Sequence, residues 1–321
     1  MPAERPPVLE IRELRVEYAT PRGLARAVDG VSFTVGPGEV FGLVGESGSG
    51  KSTIAHAVLR LLPAAARIGG GQVRVEGVDV LALSRSELRA FRWRKASLVL
   101  QSALNALNPV LSVGEHLADV LKTHLGLSRA ATRERAAALL ERVGLERSRL
   151  DSYPHQLSGG MRQRVVIALA LALQPPLMLL DEPTTALDVV VQREILRQLA
   201  DLQQELGFAV LFISHDLSLL AELATRIGVM YAGELVELAP TAELLAQPRH
   251  PYVQGLMECF PSLAGPRTRI EGIRGSPPDP ACLPPGCRFQ PRCGRALPHC
   301  TERPAAVARV AAGHTVACHL Y

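Results

Sequence analysis

No stretch of this sequence stays apolar long enough to cross a bilayer. The longest run, VVIALALAL at residues 165–173, is broken by Gln174-Pro175-Pro176, and a spanning helix needs roughly 20 residues. The opening MPAERPPVLEIRE is charged and proline-rich and lacks the apolar centre of a signal peptide. These two absences point to a cytoplasmic chain whose membrane role, if any, comes through a partner. There is no internal repeat and no low-complexity tract. Asparagine and lysine are scarce, and arginine carries most of the positive charge, a bias of composition rather than of function. Cysteine is rare too: there are 6 in 321 residues. Structural disulfides are improbable in such a compartment, yet Cys282, Cys287, Cys293 and Cys300 crowd into CLPPGCRFQPRCGRALPHC.

The chain is long enough for one large α/β domain and an appendage. VLEIRELRVEY (8–18), VSFTV (31–35), VFGLVG (40–45), QVRVEG (72–77), SLVLQ (97–101), LMLLDE (177–182), AVLFIS (209–214) and RIGVMYAGELVEL (226–238) read as strands. KSTIAHAVLRLL (51–62) and VVVQREILRQLADLQQEL (189–206) read as helices, and from about 84 to 173 the pattern is mostly helical. Alternation of this kind predicts an α/β core with a helical insert. After Leu245 proline and cysteine become dense and periodicity fades, so a boundary is predicted near 245.

Charge is unevenly placed. Residues 267–321 hold eight arginines against three acids, a balance of +5 in a chain whose total is +4, so the remainder is about −1. A basic tail of this kind serves solubility, nucleic acid, or something anionic bound within it.

Gly45-Glu46-Ser47-Gly48-Ser49-Gly50-Lys51-Ser52 fits G-x-x-x-x-G-K-[ST] between a strand and a helix, the context in which glycine-rich backbone wraps phosphate at a helix N-terminus. Lys51 would reach the β- and γ-phosphates and the Ser52 hydroxyl would hold Mg²⁺. Leu177–Leu180 form an apolar strand that ends in Asp181-Glu182. Asp181 suits the metal, and Glu182 suits a general base for water. Ser158-Gly159-Gly160 opens a second anion-binding helix terminus. One nucleotide does not need two, unless the second serves a nucleotide held by another subunit.

With these motifs the sequence resembles the ABC ATPases over about residues 8–240. Gly45–Ser52 looks like their Walker A motif, Leu177–Glu182 their Walker B, and Leu157–Met161 their signature, with Met161 where glutamine is commoner. The resemblance implies further roles. Thr53 would join the nucleotide contacts, and Gln101 would serve the Q-loop, touching Mg²⁺ and the attacking water. Ala186-Leu187-Asp188 would be the D-loop, His215 the γ-phosphate switch, and Tyr18 an aromatic stacked on adenine. It implies a P-loop ABC ATPase fold: a nucleotide-binding domain over 1–245, with a helical subdomain at about 102–172, and a small Cys-rich module within 246–321. It implies ATP and Mg²⁺ as ligands and a head-to-tail dimer of such domains.

The chain has one ATPase unit, no coiled coils between Gly45 and Ser158 and no membrane domain. It therefore most resembles a detached importer subunit. QSALNALNPVLSVGEHL (101–117), SGGMRQR (158–164) and His250-Pro251-Tyr252 are similar to the dipeptide/oligopeptide branch, which includes nickel importers, and residues 9–33 to its D-type subunit. That branch implies a second, non-identical ATPase subunit, two membrane permease subunits and, indirectly, an extracytoplasmic solute-binding protein, at the cytoplasmic face of the membrane. It also implies a 4Fe–4S cluster on Cys287, Cys293, Cys300 and Cys318, with Cys282 extra and Cys259 a buried thiol. Arg288, Arg292 and Arg295 would then surround an anionic cluster. The residues alone leave three readings open: an iron–sulfur cluster, zinc, whose usual C-x₂₋₄-C pairs are matched only by Cys282 and Cys287, or reduced thiols with no metal. The rival function is a nucleic-acid-associated ABC ATPase with a basic zinc module. Against it, only Phe289 and Tyr321 in the tail could stack on bases, so no nucleic-acid partner is expected.

Overall fold

The computed structural model describes residues 6–101, 106–185, 187–258 and 272–321. In chain order the first elements are β1 (Leu9–Thr20), β2 (Gly23–Val35), β3 (Val40–Val44), α1 (Lys51–Val58), β4 (Ala66–Val75) and β5 (Val78–Asp79). Next come α2 (Arg85–Phe91), β6 (Ala96–Val99), α3 (Val113–Leu125), α4 (Arg129–Arg142), α5 (Gly159–Ala170), β7 (Leu177–Asp181), α6 (Val189–Leu206) and β8 (Ala209–Ser214). The chain continues through α7 (Leu217–Leu223), β9 (Arg226–Tyr231), β10 (Glu234–Pro240), α8 (Thr241–Ala246), α9 (Pro251–Glu258), β11 (Val307–Ala311) and β12 (His314–Ala317). Two compact units result. The first takes in the chain up to Leu9, Val35–Glu39 and Arg74–Leu211; the second takes in Glu10–Thr34, Val40–Val73 and Phe212–Tyr321.

In the first unit β6 and β7 run parallel, in register from Ala96 opposite Leu177 to Val99 opposite Leu180. Every residue of β7 is buried, as expected of a strand covered on both faces. α3, α4 and α5 pack against one another. Their starts are written in serines: Ser112 caps α3 in a reciprocal capping box with Glu115, Ser128 caps α4 and Ser158 caps α5. Each cap satisfies a helix N–H that would otherwise lack a partner.

In the second unit β3 runs parallel to β9, β9 antiparallel to β10, β10 antiparallel to β12, and β12 antiparallel to β11. A further sheet places β1 between β2 and β4. The continuous strand expected over 226–238 is a hairpin. Ala232 and Gly233 both take positive φ, 45° and 90°, and Tyr231 pairs with Glu234, so two left-handed residues make a tight turn whose twist suits the flanking strands. α1 also stops four residues short of the expected Leu62. Arg60 turns left-handed at φ 50°, Leu61 N–H closes onto His56 O at 2.8 Å, and Pro63 cannot continue a helix. The tail gains order from its neighbours. Its hairpin adds to β10, and Val316 and His314 are buried there.

Candidate active site

In the second unit the chain leaves β3 at Gly45 and enters α1 at Lys51. Gly50, the residue before α1, sits at φ 102°, and a Cβ there would lie 2.1 Å from Ala27 O, so only glycine fits. Gly50 offers no side-chain cap, and the first turn of α1 carries no acid. The first N–H groups of α1 therefore face an anion-binding end with no carboxylate competing for them. Lys51 is buried and folds back over the loop, donating from Nζ to Gly45 O at 2.7 Å, Glu46 O at 2.9 Å and Ser49 Oγ at 3.2 Å. These bonds fix the loop's curl around its own ammonium group. Tyr18, on β1, comes within 3.3 Å of Thr53 Oγ1, in the first turn of α1, through its hydroxyl. His215 is exposed just after β8.

In the first unit Asp181 ends β7 almost fully buried, at 3% exposure. Glu182 follows with φ 46°, a left-handed conformation that costs a non-glycine residue of order 1–3 kcal/mol. Its carboxylate Oε2 accepts from Gln101 Nε2 at 2.8 Å and from Thr185 Oγ1 at 3.0 Å. The structure thus brings Gln101 to Glu182 across 81 residues of sequence. Thr185 was not singled out from the sequence; only its place three residues beyond Glu182 could have suggested it.

The start of α5 and the residues leading into α6 meet in the first unit. Ser158 Oγ accepts from Met161 N–H at 3.3 Å. A Cβ on Gly160 would come 2.7 Å from Val191 Cγ1, and one on Gly159 would come 3.3 Å from Leu187 Cδ2. Both glycines therefore let α5 approach α6. Asp188 caps α6, its Oδ1 accepting from Val190 and Val191 N–H at 3.1 and 3.0 Å. Ser158, Gly159, Gly160, Leu187 and Asp188 line an open cavity of about 510 Å³. Ala186 and residues 102–105 lie outside the described residues, as does Cys259.

In the tail Cys282, Cys287, Cys293, Cys300 and Cys318 are free thiols. Burial pushes the Cys287 thiol up, and the charges of Cys300 and Cys318 add to it. Burial also pushes up Cys318, with Cys293 and Cys300 adding to it. Backbone N–H groups point at the sulfurs: those of Phe289 and Gln290 lower Cys287, that of Leu320 lowers Cys318, and Leu297 N–H donates to Cys300 Sγ at 3.4 Å. Among the described residues no three His, Cys, Asp or Glu side chains converge closely enough to hold a single metal ion, so neither a zinc site nor an iron–sulfur site is shown.

The arginines depart from the expectation that they ring an anionic cluster. Arg288 binds Asp29 and Glu234 and donates to Ala232 O. Arg292 binds Glu46. Arg295 faces the thiols, its charge lowering Cys318. A carboxylate that matches the guanidinium fork recruits these side chains more strongly than a diffuse anion would. In His250-Pro251-Tyr252, Tyr252 is fully buried and its hydroxyl accepts from Glu46 N–H at 2.9 Å.

Residues 28–185 match the ABC transporter family, and residues 236–300 match the C-terminal region of oligopeptide/dipeptide transporters. The chain belongs to the ABC transporter family. It is 46% identical over 92% of its length, and 90% of the relative's, to a putative peptide import ATP-binding protein of Brucella abortus (strain 2308). It is 40% identical to the oligopeptide transport ATP-binding protein AppD of Bacillus subtilis (strain 168), covering 98% of this chain and 97% of that one. Among solved structures, a dimeric post-hydrolysis state of the ATP-binding cassette MJ0796 bound to ADP and Pi matches with a TM-score of 0.65. That match is 30% identical and covers 73% of this ABC chain and 98% of the cassette.

Proposed function

We propose that this chain is the ATP-hydrolysing subunit of an importer of di- or oligopeptides or a related solute. The observation that carries this reading is the pairing, in one chain, of an ABC core with a tail that matches the C-terminal region of oligopeptide/dipeptide transporters. Among the described residues no helix is long and apolar enough to cross a membrane, so transport requires membrane partners. In this reading the chain works at the cytoplasmic face beside a second, non-identical ATPase subunit. Both dock on two permease subunits served by an extracytoplasmic binding protein. The nucleotide-binding domain takes residues 1–245 and the Cys-rich module lies within 246–321. The nucleic-acid alternative is not favoured: the Arg288 and Arg292 side chains are only 7% and 6% exposed and sit on carboxylates, out of reach of a phosphate backbone.

In this assignment the loop Gly45–Ser52 and Lys51 hold the triphosphate, Thr53 supports them, and Tyr18 faces the base. Ser52, Asp181 and Gln101 would hold Mg²⁺. They offer a hydroxyl, a carboxylate and an amide carbonyl, the hard oxygen donors Mg²⁺ takes, because the Gln101 amide nitrogen is committed to Glu182. Held there, the metal would supply charge neutralisation at the phosphates. Glu182 accepts the proton of the attacking water, with Gln101 and Thr185 fixing its carboxylate. His215 contacts the γ-phosphate. Ser158, Gly159, Gly160 and Asp188 serve the nucleotide of the partner subunit.

We further propose that Cys287, Cys293, Cys300 and Cys318 hold a 4Fe–4S cluster. What supports the reading is that backbone N–H groups are aimed at the Cys287, Cys300 and Cys318 sulfurs, as they are around thiolate-held centres. A cluster would supply folding free energy to a small module. Zn²⁺ is the alternative occupant.

The test is purification with the membrane fraction. The chain should copurify with two permeases and a second ATPase, and alone it should be a weak, monomeric ATPase. A stable, fully active soluble homodimer would overturn the assembly. Purified without oxygen it should be brown, with iron and acid-labile sulfide. A colourless protein with stoichiometric zinc would replace the cluster, and one without metal would remove it.

A further inference from the structure

Glu46 is the second residue of the phosphate loop, and its chemistry there is unassigned: the loop pattern leaves that position open to any residue. The structure holds it at two points, both from beyond residue 245. Its backbone N–H donates to Tyr252 Oη at 2.9 Å. Its carboxylate receives the Arg292 fork, Nη1 on Oε2 at 2.8 Å and Nη2 on Oε1 at 3.1 Å.

Arg292 is itself fully engaged. Its Nε donates to Arg274 O at 2.9 Å, Nη2 also to Ile273 O at 3.3 Å, and Nη1 also to Tyr231 Oη at 3.3 Å. A guanidinium carries five N–H donors, and each of the five has an acceptor here. The group also stands over the rings of Tyr231 and Phe289, 5.7 and 6.0 Å from their centroids. Its side chain is 6% exposed. A lysine has three donors and no plane, so it could not make this set.

We propose that Arg292 is a positioning residue of the phosphate loop, through which the tail sets nucleotide affinity. This rests on the reading that Gly45–Ser52 binds ATP. The reasoning is geometric. Lys51 Nζ is bonded to Gly45 O and Glu46 O, so the peptide units on either side of Glu46 orient the ammonium that meets the phosphates. Fixing the Glu46 N–H through Tyr252 and its carboxylate through Arg292 removes conformations in which those carbonyls turn away. The ordering is then complete before nucleotide arrives, and preorganisation of this kind raises affinity. The neighbouring residue is Cys293, so whatever orders the tail thiols also sets the position of the Arg292 backbone. Coupling of two sites is reciprocal: nucleotide in the loop must in turn hold the tail more firmly.

The experiment measures Mg-ATP affinity of the full-length chain by calorimetry, with a melting curve for every variant. Arg292→Gln should weaken binding by about tenfold, within the range of ordinary site-to-site coupling, and Arg292→Lys should fall between it and the native protein. Glu46→Gln keeps the side-chain shape without the charge pair, so it serves if Arg292→Gln does not fold. It should weaken binding to a similar degree, and the double variant should be no worse than the poorer single one. In the native protein ATP should slow amide exchange in residues 287–295, and Glu46→Gln should abolish that slowing. Affinities within twofold of native for Arg292→Gln or Glu46→Gln, strictly additive losses, or tail exchange indifferent to ATP would each overturn the proposal. Lys51→Ala separates it from its premise. If that variant binds ATP as tightly as the native protein, the phosphate-loop reading itself fails.

Discussion

Glu182→Gln isolates the chemistry of the base from everything around it. Glutamine has the same length and keeps one carbonyl oxygen, which can accept from both Gln101 Nε2 and Thr185 Oγ1, the partners Glu182 holds at 2.8 and 3.0 Å. The backbone strain at φ 46° is common to both residues. The stability change is therefore confined to the loss of charge assistance in two hydrogen bonds, on the order of 1 kcal/mol. In the proposed assignment the phosphate contacts come from residues 45–52, so ATP affinity should stay at the native value. What is lost is proton acceptance from water. A positioned base contributes about 10²–10⁴ in rate, or about 3–5 kcal/mol of barrier. The assay is phosphate release in a single turnover, alongside ATP titration and size-exclusion in ATP, where the variant should accumulate as an ATP-bound dimer with its partner subunit. A rate loss smaller than about tenfold would refute the role of Glu182 as base. An equal loss of affinity would show that the carboxylate binds rather than reacts.

Gly50→Ala should abolish nucleotide binding and destabilise the protein by about 2–4 kcal/mol through strain and overpacking, because its Cβ would meet Ala27 O at 2.1 Å; a native melting temperature would contradict the loop geometry. Burial pushes the His250 imidazole down to about 4, and its Nδ1 accepts from Tyr252 N–H, so it is neutral when folded. The stability it contributes is complete above its unfolded value near 6.5 and is lost as pH falls from there toward 4. That amounts to about 3 kcal/mol over the full interval. Denaturant titrations at stepped pH should show it, and His250→Gln should flatten the slope. Replacing Cys287, Cys293, Cys300 or Cys318 singly should bleach an anaerobically purified protein while ATP binding persists; retention of colour in any one of them would remove that residue from the ligand set.

The nucleotide half of this molecule was legible because its chemistry is local in sequence. The phosphate loop is eight consecutive residues, and the strand ending in Asp181-Glu182 is one apolar run. Helix α6 forms over the expected 189–206: Asp188 caps its first turn and Gly207, left-handed, ends it. The hairpin at Ala232-Gly233 was missed because alanine gives no warning of a left-handed turn. The tail was misjudged for a different reason. Its arginines find carboxylates at Asp29 and Glu46, 259 and 246 residues away, and no periodicity reports a pairing over such a distance. The contact Tyr252 makes was hidden for the same reason: its hydroxyl accepts from a backbone N–H more than two hundred positions earlier.

The hairpin of β11 and β12 has a consequence for how this protein is handled. By pairing with β10 at Glu237 and Leu238, β12 occupies a row of main-chain donors and acceptors that would otherwise sit at the margin of the sheet. An unpaired margin is a template for other chains and a route to aggregation. The strand that takes over that margin, β11, is five residues long, carries Arg309 in its middle, and has a register shift between Arg309 and Ala311. Shortness, charge and irregularity are the features that discourage a further strand from adding. A version trimmed near residue 245 to obtain the nucleotide-binding part alone would strip this guard and also uncover the buried His314–Glu237 contact. Poor solubility of such a fragment would then reflect a missing sheet neighbour and an orphaned buried acid, not a failure of the nucleotide-binding part to fold.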